Sequence, residues 1–278
     1  MNKQITFWYG CNVLRHGDII HACLDMLRLL GFDAQPAGGP DYCCGTAKDA
    51  NQTAADGMAH RTVSRFNALG RDQVVAWCPS CHSHMSDFMG EAYPARFSLG
   101  YFADLLHQHR DRLSALLKIP VPMRVLLHKH RGFNNRVAVN AKVTELLELV
   151  PGVEVIDEGY AAPGYMCAVL TAVPAAMKDM VARTVELAAE HHADAVVTPF
   201  HQCYRELVGL EADGTIQVFN YVHLLARSMG LTYEDEYKSW KKAGGDAAAA
   251  IGEQRLEPIG VTFFQRAMLP ELKKRPPR

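Results

Sequence analysis

The sequence predicts an α/β fold built as two tandem repeated lobes, each a mostly parallel sheet flanked by helices. Three observations carry this expectation. Short apolar runs of strand character alternate with longer segments that are apolar at helical spacing, the pattern of a parallel sheet covered by helices. The same order of elements returns in the second half of the chain. Two motif-bearing stretches also repeat their local pattern: LLGFDAQPAGGPDYCCG parallels LVPGVEVIDEGYAAPGYMCA, and RDQVVAWCPSCHSHM parallels ADAVVTPFHQCYREL. Self-similarity at that scale means two copies of one unit. The lobes are expected at residues 1–119 and 120–232, divided near the prolines of LLKIPVPM, with 233–278 as an extended or partner-docking tail.

In chain order, QITFWYG (4–10) reads as a buried strand, and RHGDIIHACLDMLRLLGF (15–32) as a helix stopped at a glycine. After the CCG element, TAKDANQTAADGMAHRTVSRFNALG (46–70) reads as a helix, DQVVAW (72–77) as a strand, and CPSCHSHMSDFM (78–89) as a turn entering a helix. The second half gives a strand in PMRVLLHKH (122–130), a helix in RVAVNAKVTELLELV (136–150) and a strand in GVEVID (152–157). A helix at 174–193, a strand at 194–200, a short strand near 212–220 and a helix at 221–231 complete it. The tail is polar, rich in alanine and glycine and ends in prolines, a composition that favours extended chain or docking on a partner.

Composition narrows the function classes. Of 278 residues, 49% are hydrophobic and 21% charged, which is ordinary for a globular protein and excludes wholesale disorder. The formal net charge of −1 offers no field to recruit nucleic acid or an anionic membrane, and basic residues do not interleave with aromatics. The first residues meet a glycine, a cysteine and charges too early for a signal peptide, and no apolar run approaches the roughly 18 residues of a membrane span. The expected location is the cytoplasm.

Eight cysteines are too few for a disulfide scaffold, and six of them lie in the first third. Cys11 ends the first strand; Cys43 and Cys44 are neighbours; Cys78 follows a strand and closes C-x-x-C with Cys81. Neighbouring cysteines seldom bond to each other, because a disulfide needs a separation and side-chain directions they rarely reach. In an α/β unit with right-handed crossovers, residues just past neighbouring strand ends converge on one edge of the sheet. Five thiols there are too many for a closed tetrahedral zinc site and suit an iron–sulfur cluster. Two other readings stand beside it: Cys78-Pro79-Ser80-Cys81 alone is a thioredoxin-like redox signal, and four of the five thiols could hold zinc. Cys23 sits on an apolar helix face with Ile19, Met26, Leu27 and Leu30 and reads as core. His82 and His84 follow the C-x-x-C and read either as packing residues or as outer donors to a metal group.

The pattern C-x31-CC-x33-C-x2-C, with glycine after the pair and proline inside the C-x-x-C, resembles the cysteine-rich CCG module in the B subunit of heterodisulfide reductase and its relatives. That family has two tandem copies, so the resemblance spans about residues 4–230 and makes both lobes CCG-type. It implies a noncubane [4Fe-4S] cluster at which a disulfide is cleaved or formed one electron at a time. Carried over position by position, Cys11, Cys43, Cys44, Cys78 and Cys81 would be its ligands and, through it, the catalytic residues.

The second copy departs from the pattern. Aligning the repeats puts Arg131 at the place of Cys11, Met166 at Cys43, Cys167 at Cys44, Phe200 at Cys78 and Cys203 at Cys81. His128, His130 and His201 lie where ligands are missing. Three readings stay open: Cys167 and Cys203 are buried remnants; they form a dithiol that pairs or relays sulfur; or two thiols and two histidines hold zinc or a smaller cluster, Cys2His2 being a legitimate zinc set.

A degenerate second motif is similar to that of one of the B-type proteins of the heterodisulfide-reductase-like complex of sulfur-oxidising prokaryotes. The similarity implies thiol, disulfide or sulfane-sulfur redox within an oxidoreductase complex. The implied partners are a flavin-containing A-type protein, a ferredoxin-like C-type protein, a paralogous B-type protein and a lipoate-binding sulfur carrier. The sequence has no flavin or nucleotide fingerprint of its own. Two alternatives are an electron-transfer subunit of a lactate- or glycolate-type dehydrogenase complex, against which Met166 and Phe200 count, and a zinc-binding structural or docking subunit.

Overall fold

A computed structural model describes residues 3–11, 15–45, 51–88, 93–132, 138–212 and 214–277. It contains two four-stranded parallel sheets with flanking helices. The first sheet is formed by β1 (Lys3–Gly10), β2 (Phe32–Gly38), β3 (Gln73–Ala76) and β4 (Ser98–Tyr101), in the order β2-β1-β3-β4. The second uses β5 (Met123–Leu127), β6 (Val153–Ile156), β7 (Ala195–Thr198) and β8 (Gln217–Asn220), in the order β6-β5-β7-β8. The two orders are the same topology repeated. In each, the chain winds one way from the first strand and then the other, so a crevice opens beyond the carboxyl ends of the first and third strands.

The helices follow from the sequence pattern. α1 (Gly17–Leu29) buries Ile19, Ile20, Cys23, Leu24, Met26 and Leu27, a stripe at helical spacing. α2 (Gln52–Leu69) is capped by Asn51, whose side chain accepts from the Ala54 N–H at 3.0 Å, and ends at Gly70 with φ +66°. The expected start of this helix at 46–50 lies outside the described residues, as do 136 and 137 of the later helix and residue 89 of α3 (Pro79–Phe88). β1 carries Phe7 and Trp8 to opposite faces. Phe7 meets Phe102 at a centroid distance of 5.6 Å, and Trp8 meets Phe66 at 5.1 Å, edge-on.

Contacts divide the chain into two compact units: 1–122, 132–153 and 221–233 form one, and 123–131, 154–220 and 234–278 the other. In the first unit the helices Val139–Glu148 and Tyr221–Ser228 pack with α1 and with the helix Phe102–Gln108. Lys142 pairs with Asp104 at 2.5 Å and His223 with Asp18 at 2.8 Å. The second unit includes residues 234–277. These are helical over much of their length, beginning with Glu236–Ala243, rather than extended, the other half of the expectation being a partner-docking tail. The reason is apolar content: Tyr237, Trp240, Ile251, Phe264, Met268 and Leu272 are buried there. Among the described residues, no helix is long and apolar enough to cross a membrane.

Candidate metal centre

The first unit gathers five thiols beyond the ends of β1 and β3. Cys11 directly follows β1, and Cys78 stands two residues past β3. Cys81 lies in the first turn of α3, while Cys43 and Cys44 follow the short turn after β2. A continuous line of sulfur contacts joins them: Cys11 to Cys43, Cys43 to Cys44, Cys44 to Cys81, and Cys81 to Cys78. Cys11 is exposed and the other four are buried.

The turn is held from several sides. The Thr62 hydroxyl donates to the Cys43 carbonyl at 2.8 Å, and the Trp8 indole N–H donates to the Tyr42 carbonyl at 2.9 Å. Gly45 has φ +94°, and a Cβ there would lie 2.5 Å from the Ala55 carbonyl oxygen, so only glycine fits. That conformation lets the Gly45 N–H reach the Cys43 sulfur.

The thiols are electrostatically unequal. Cys43 is lowered to about 2, chiefly because Cys11 and Cys44 donate S–H bonds to it, with the Gly45 amide and the charge on His84 adding to the effect against the cost of burial. Cys11 is raised, first by its bond to Cys43 and then by burial; Cys81 is raised by its bonds to Cys44 and Cys78 and by burial. His82 packs edge-on to Tyr101 at 5.9 Å and is lowered by burial, Asp104 opposing. Cys23 is wholly buried in the core and raised by that burial.

The second unit gathers four residues at the equivalent edge of its sheet. His128 and His130 follow β5, Cys167 opens the helix Cys167–Leu170, and Cys203 is the third residue of the helix His201–Leu207, the place Cys81 takes in α3. One ligand atom from each lies within 4.8 Å of all the others, and all four residues are buried. Cys167 Sγ is 3.3 Å from His128 Nε2 and 3.4 Å from His130 Nε2, and the Cys167 N–H donates to Cys203 Sγ at 3.3 Å. Burial raises Cys203, yet the bond from Cys167, the charge on His130 and the bonds to His128 and His130 together bring it well below its ordinary value. Cys167 is raised by burial and by its bond to Cys203.

His201 is buried at the start of its helix but is not one of the four. Met166 and Phe200, aligned with two of the missing thiols, are buried apolar fillers, and Phe200 lies 6.3 Å from the His130 ring. Arg131 is exposed, with its Nε donating to the Ala161 carbonyl at 3.2 Å. Sequence reasoning missed Thr184, whose hydroxyl lies 3.2 Å from His128 Nδ1. Its signal was legible: it is the polar residue on a helix face otherwise made of Met177, Met180, Val181, Leu187 and Ala188.

Residues 5–86 match the family model of the CCG cysteine-rich domain, in agreement with the resemblance drawn from the cysteine spacing. The B subunit of fumarate reductase (CoM/CoB) from Methanothermobacter marburgensis is 24% identical to this chain over 244 residues, covering 84% of this chain and 47% of that protein. The chain thus spans about half the length of the curated relative it matches. Among solved structures, an aspartate racemase homologue from Pyrococcus horikoshii OT3 aligns with 82% of this chain and 97% of its own at 10% identity and a TM-score of 0.36. Arylmalonate decarboxylase aligns with 83% and 94% at 14% identity and a TM-score of 0.28. The matched domain and the buried histidine–cysteine set support metal or iron–sulfur binding by this chain.

Proposed function

We propose that the chain is the iron–sulfur subunit of a multi-subunit oxidoreductase, with Cys11, Cys43, Cys44, Cys78 and Cys81 holding one noncubane [4Fe-4S] cluster that serves thiol, disulfide or sulfane-sulfur redox. The observation that carries this reading is the unbroken line of contacts through all five sulfurs. Five donors exceed what one closed tetrahedral ion takes and suit a multi-iron group. The match to the CCG cysteine-rich domain supports an iron–sulfur redox role, and similarity to the B subunit of a reductase supports partner subunits.

When bound, such a cluster supplies one-electron steps toward a sulfur substrate. The chain's own residues do the rest. Gly45 and Thr62 fix the turn that presents two adjacent thiolates, and the Gly45 amide offers a hydrogen bond that favours the anionic sulfur. Cys11, the exposed member, is the side from which substrate sulfur enters. Reducing a disulfide to two thiols consumes two electrons and two protons. The electrons exchange with a flavin-bearing A-type partner and a ferredoxin-like C-type partner, since flavin is assigned to no motif of this chain. A paralogous B-type protein and a lipoate-bearing sulfur carrier complete the proposed complex, in sulfur oxidation. The repeat boundaries near 119 and 232 belong to the same proposal: one intact lobe and one degenerate.

The test is electron paramagnetic resonance of the anaerobically purified full chain, oxidised and then treated with a small thiol. A signal that responds to thiol in the parent and is absent in Cys44→Ala is expected. An iron signal indifferent to thiol would remove sulfur redox and leave electron transfer alone.

A further inference from the structure

The second unit's four-residue cluster turns two histidine nitrogens toward each other and toward two sulfurs. His130 Nδ1 lies 3.0 Å from the Pro163 carbonyl oxygen, which can only accept, so Nδ1 carries the proton. His128 Nδ1 lies 3.2 Å from the Thr184 hydroxyl oxygen. That hydroxyl already spends its proton on the Met180 carbonyl at 2.8 Å, so its oxygen accepts from His128 Nδ1–H. In their neutral forms both imidazoles are thereby the same tautomer, with Nε2 bearing a lone pair. The two Nε2 atoms face each other at 3.2 Å, in residues only 1–2% exposed. Two neutral acceptors at that distance repel unless a positive charge sits among them, either a proton on one ring facing the Cys203 sulfur or a metal ion shared with both sulfurs, and the geometry of the four ligand atoms favours the metal.

We infer that His128, His130, Cys167 and Cys203 hold a single zinc ion, a structural site separate from the five-thiol group of the first unit. The distances suit one ion. With bonds of about 2.1 Å to nitrogen and 2.3 Å to sulfur, the edges of a tetrahedron come to roughly 3.4 Å for N···N and 3.6 Å for N···S. The corresponding separations here are 3.2 Å for the two nitrogens and 3.3 and 3.4 Å from Cys167 Sγ to each. A two-iron cluster with this donor set would put the histidine pair and the cysteine pair on separate irons. Here both thiols touch both imidazoles, which calls for one centre.

The outer contacts are those of a ligand set. Each imidazole donates its far N–H, one to a carbonyl and one to a hydroxyl, and Cys203 receives a backbone N–H, which stabilises a thiolate. Four protein donors fill the tetrahedron, so no position is left for substrate, and the ion's role is to tie the ends of β5 and β7 to the turn at Cys167. In the degenerate lobe, one ion with four ligands thus takes the place of a five-thiol group, and Met166 and Phe200 fill the remaining space.

The full chain, expressed with zinc in the medium and purified under reducing conditions, should carry about one zinc in a shell of two sulfurs and two nitrogens, read by metal analysis and zinc X-ray absorption. Cys44→Ala should leave that zinc in place, while Cys203→Ser and His130→Ala should lose most of it. His128→Cys keeps four donors and should keep the metal with three sulfurs in its shell, which separates loss of a ligand from loss of folding. An all-sulfur shell, zinc lost in Cys44→Ala but kept in Cys203→Ser, or a metal-free protein in which Cys167 and Cys203 are joined by a disulfide would each overturn the assignment. None of these outcomes bears on iron in the first unit.

Discussion

Gly45→Ala adds one methyl group to the turn behind the two adjacent thiols and asks two things of it. The backbone there has φ +94°, where an L-residue costs about 1–2 kcal/mol. The new Cβ would also stand 2.5 Å from the Ala55 carbonyl oxygen and 3.0 Å from the Ala55 Cα, inside contact distance of helix backbone that cannot swing aside. Overpacking of that kind adds about 1–3 kcal/mol. The total is about 2–5 kcal/mol if the turn holds. If it yields, the Gly45 amide leaves Cys43 and the sulfur line is broken. Gly70→Ala is the matched control. It too has positive φ, +66°, but a Cβ there meets nothing within 4 Å, so only the backbone cost of about 1 kcal/mol applies. Urea unfolding followed by tryptophan emission, with iron content measured beside it, should find Gly45→Ala weaker than Gly70→Ala in stability, in iron, or in both. Equal stability and equal iron in the two variants would refute the argument that this turn admits only glycine.

Thr62→Val keeps the shape of the side chain but leaves the buried Cys43 carbonyl without its 2.8 Å donor, so unfolding should become easier by about 1–3 kcal/mol, read by urea titration. Lys241 is 2% exposed, donates to the Glu271 carbonyl at 2.6 Å, and is lowered to about 8 by burial, against the pull of Glu206 and Glu271. Between about pH 8 and the ordinary lysine value of 10.5, the unfolded chain binds more protons at this residue, so its contribution to stability rises with pH across that window. The rise is at most about 3 kcal/mol, and it should be present in the parent and absent in Lys241→Met when unfolding is followed from about pH 7.5 to 10.5.

What could be read from the sequence follows from how far local pattern reaches. The alternation of strand and helix was legible because β1, β3, β5 and β7 are buried apolar runs and the helices between them carry apolar stripes. β2 was not, because FDAQPAG contains Pro36, which strand signals exclude. It lies at the edge of the sheet, where a missing N–H is tolerated, with Pro36 opposite Phe7. β4 is another short edge strand, with Gly100 in the middle. The tail's helices were hidden by alanine, glycine and the internal Pro258, and they exist because scattered aromatics find a core that sequence periodicity does not encode. Nor could a repeat predict that Val139–Glu148 and Tyr221–Ser228 pack within the first unit.

At the site, the convergence of the five cysteines was legible, because spacing and strand ends put them on one edge. The second set was legible as a group of residues but not as a geometry. His201 has the same sequence claim as His128 and His130, yet only the latter two meet both thiols. Their distinction rests on the Thr184 hydroxyl and the Pro163 carbonyl, partners 56 and 33 residues away.

A multi-iron group at the five sulfurs of the first unit is distinguishable from a single ion or free thiols by its metal content. Iron, acid-labile sulfide and zinc should be counted in the anaerobically purified full chain and in Cys44→Ala. About four irons with matching sulfide are expected in the parent and should be lost in Cys44→Ala, with the second unit still folded. Zinc at the first-unit cysteines with no iron or sulfide would contradict it and leave a structural or docking module.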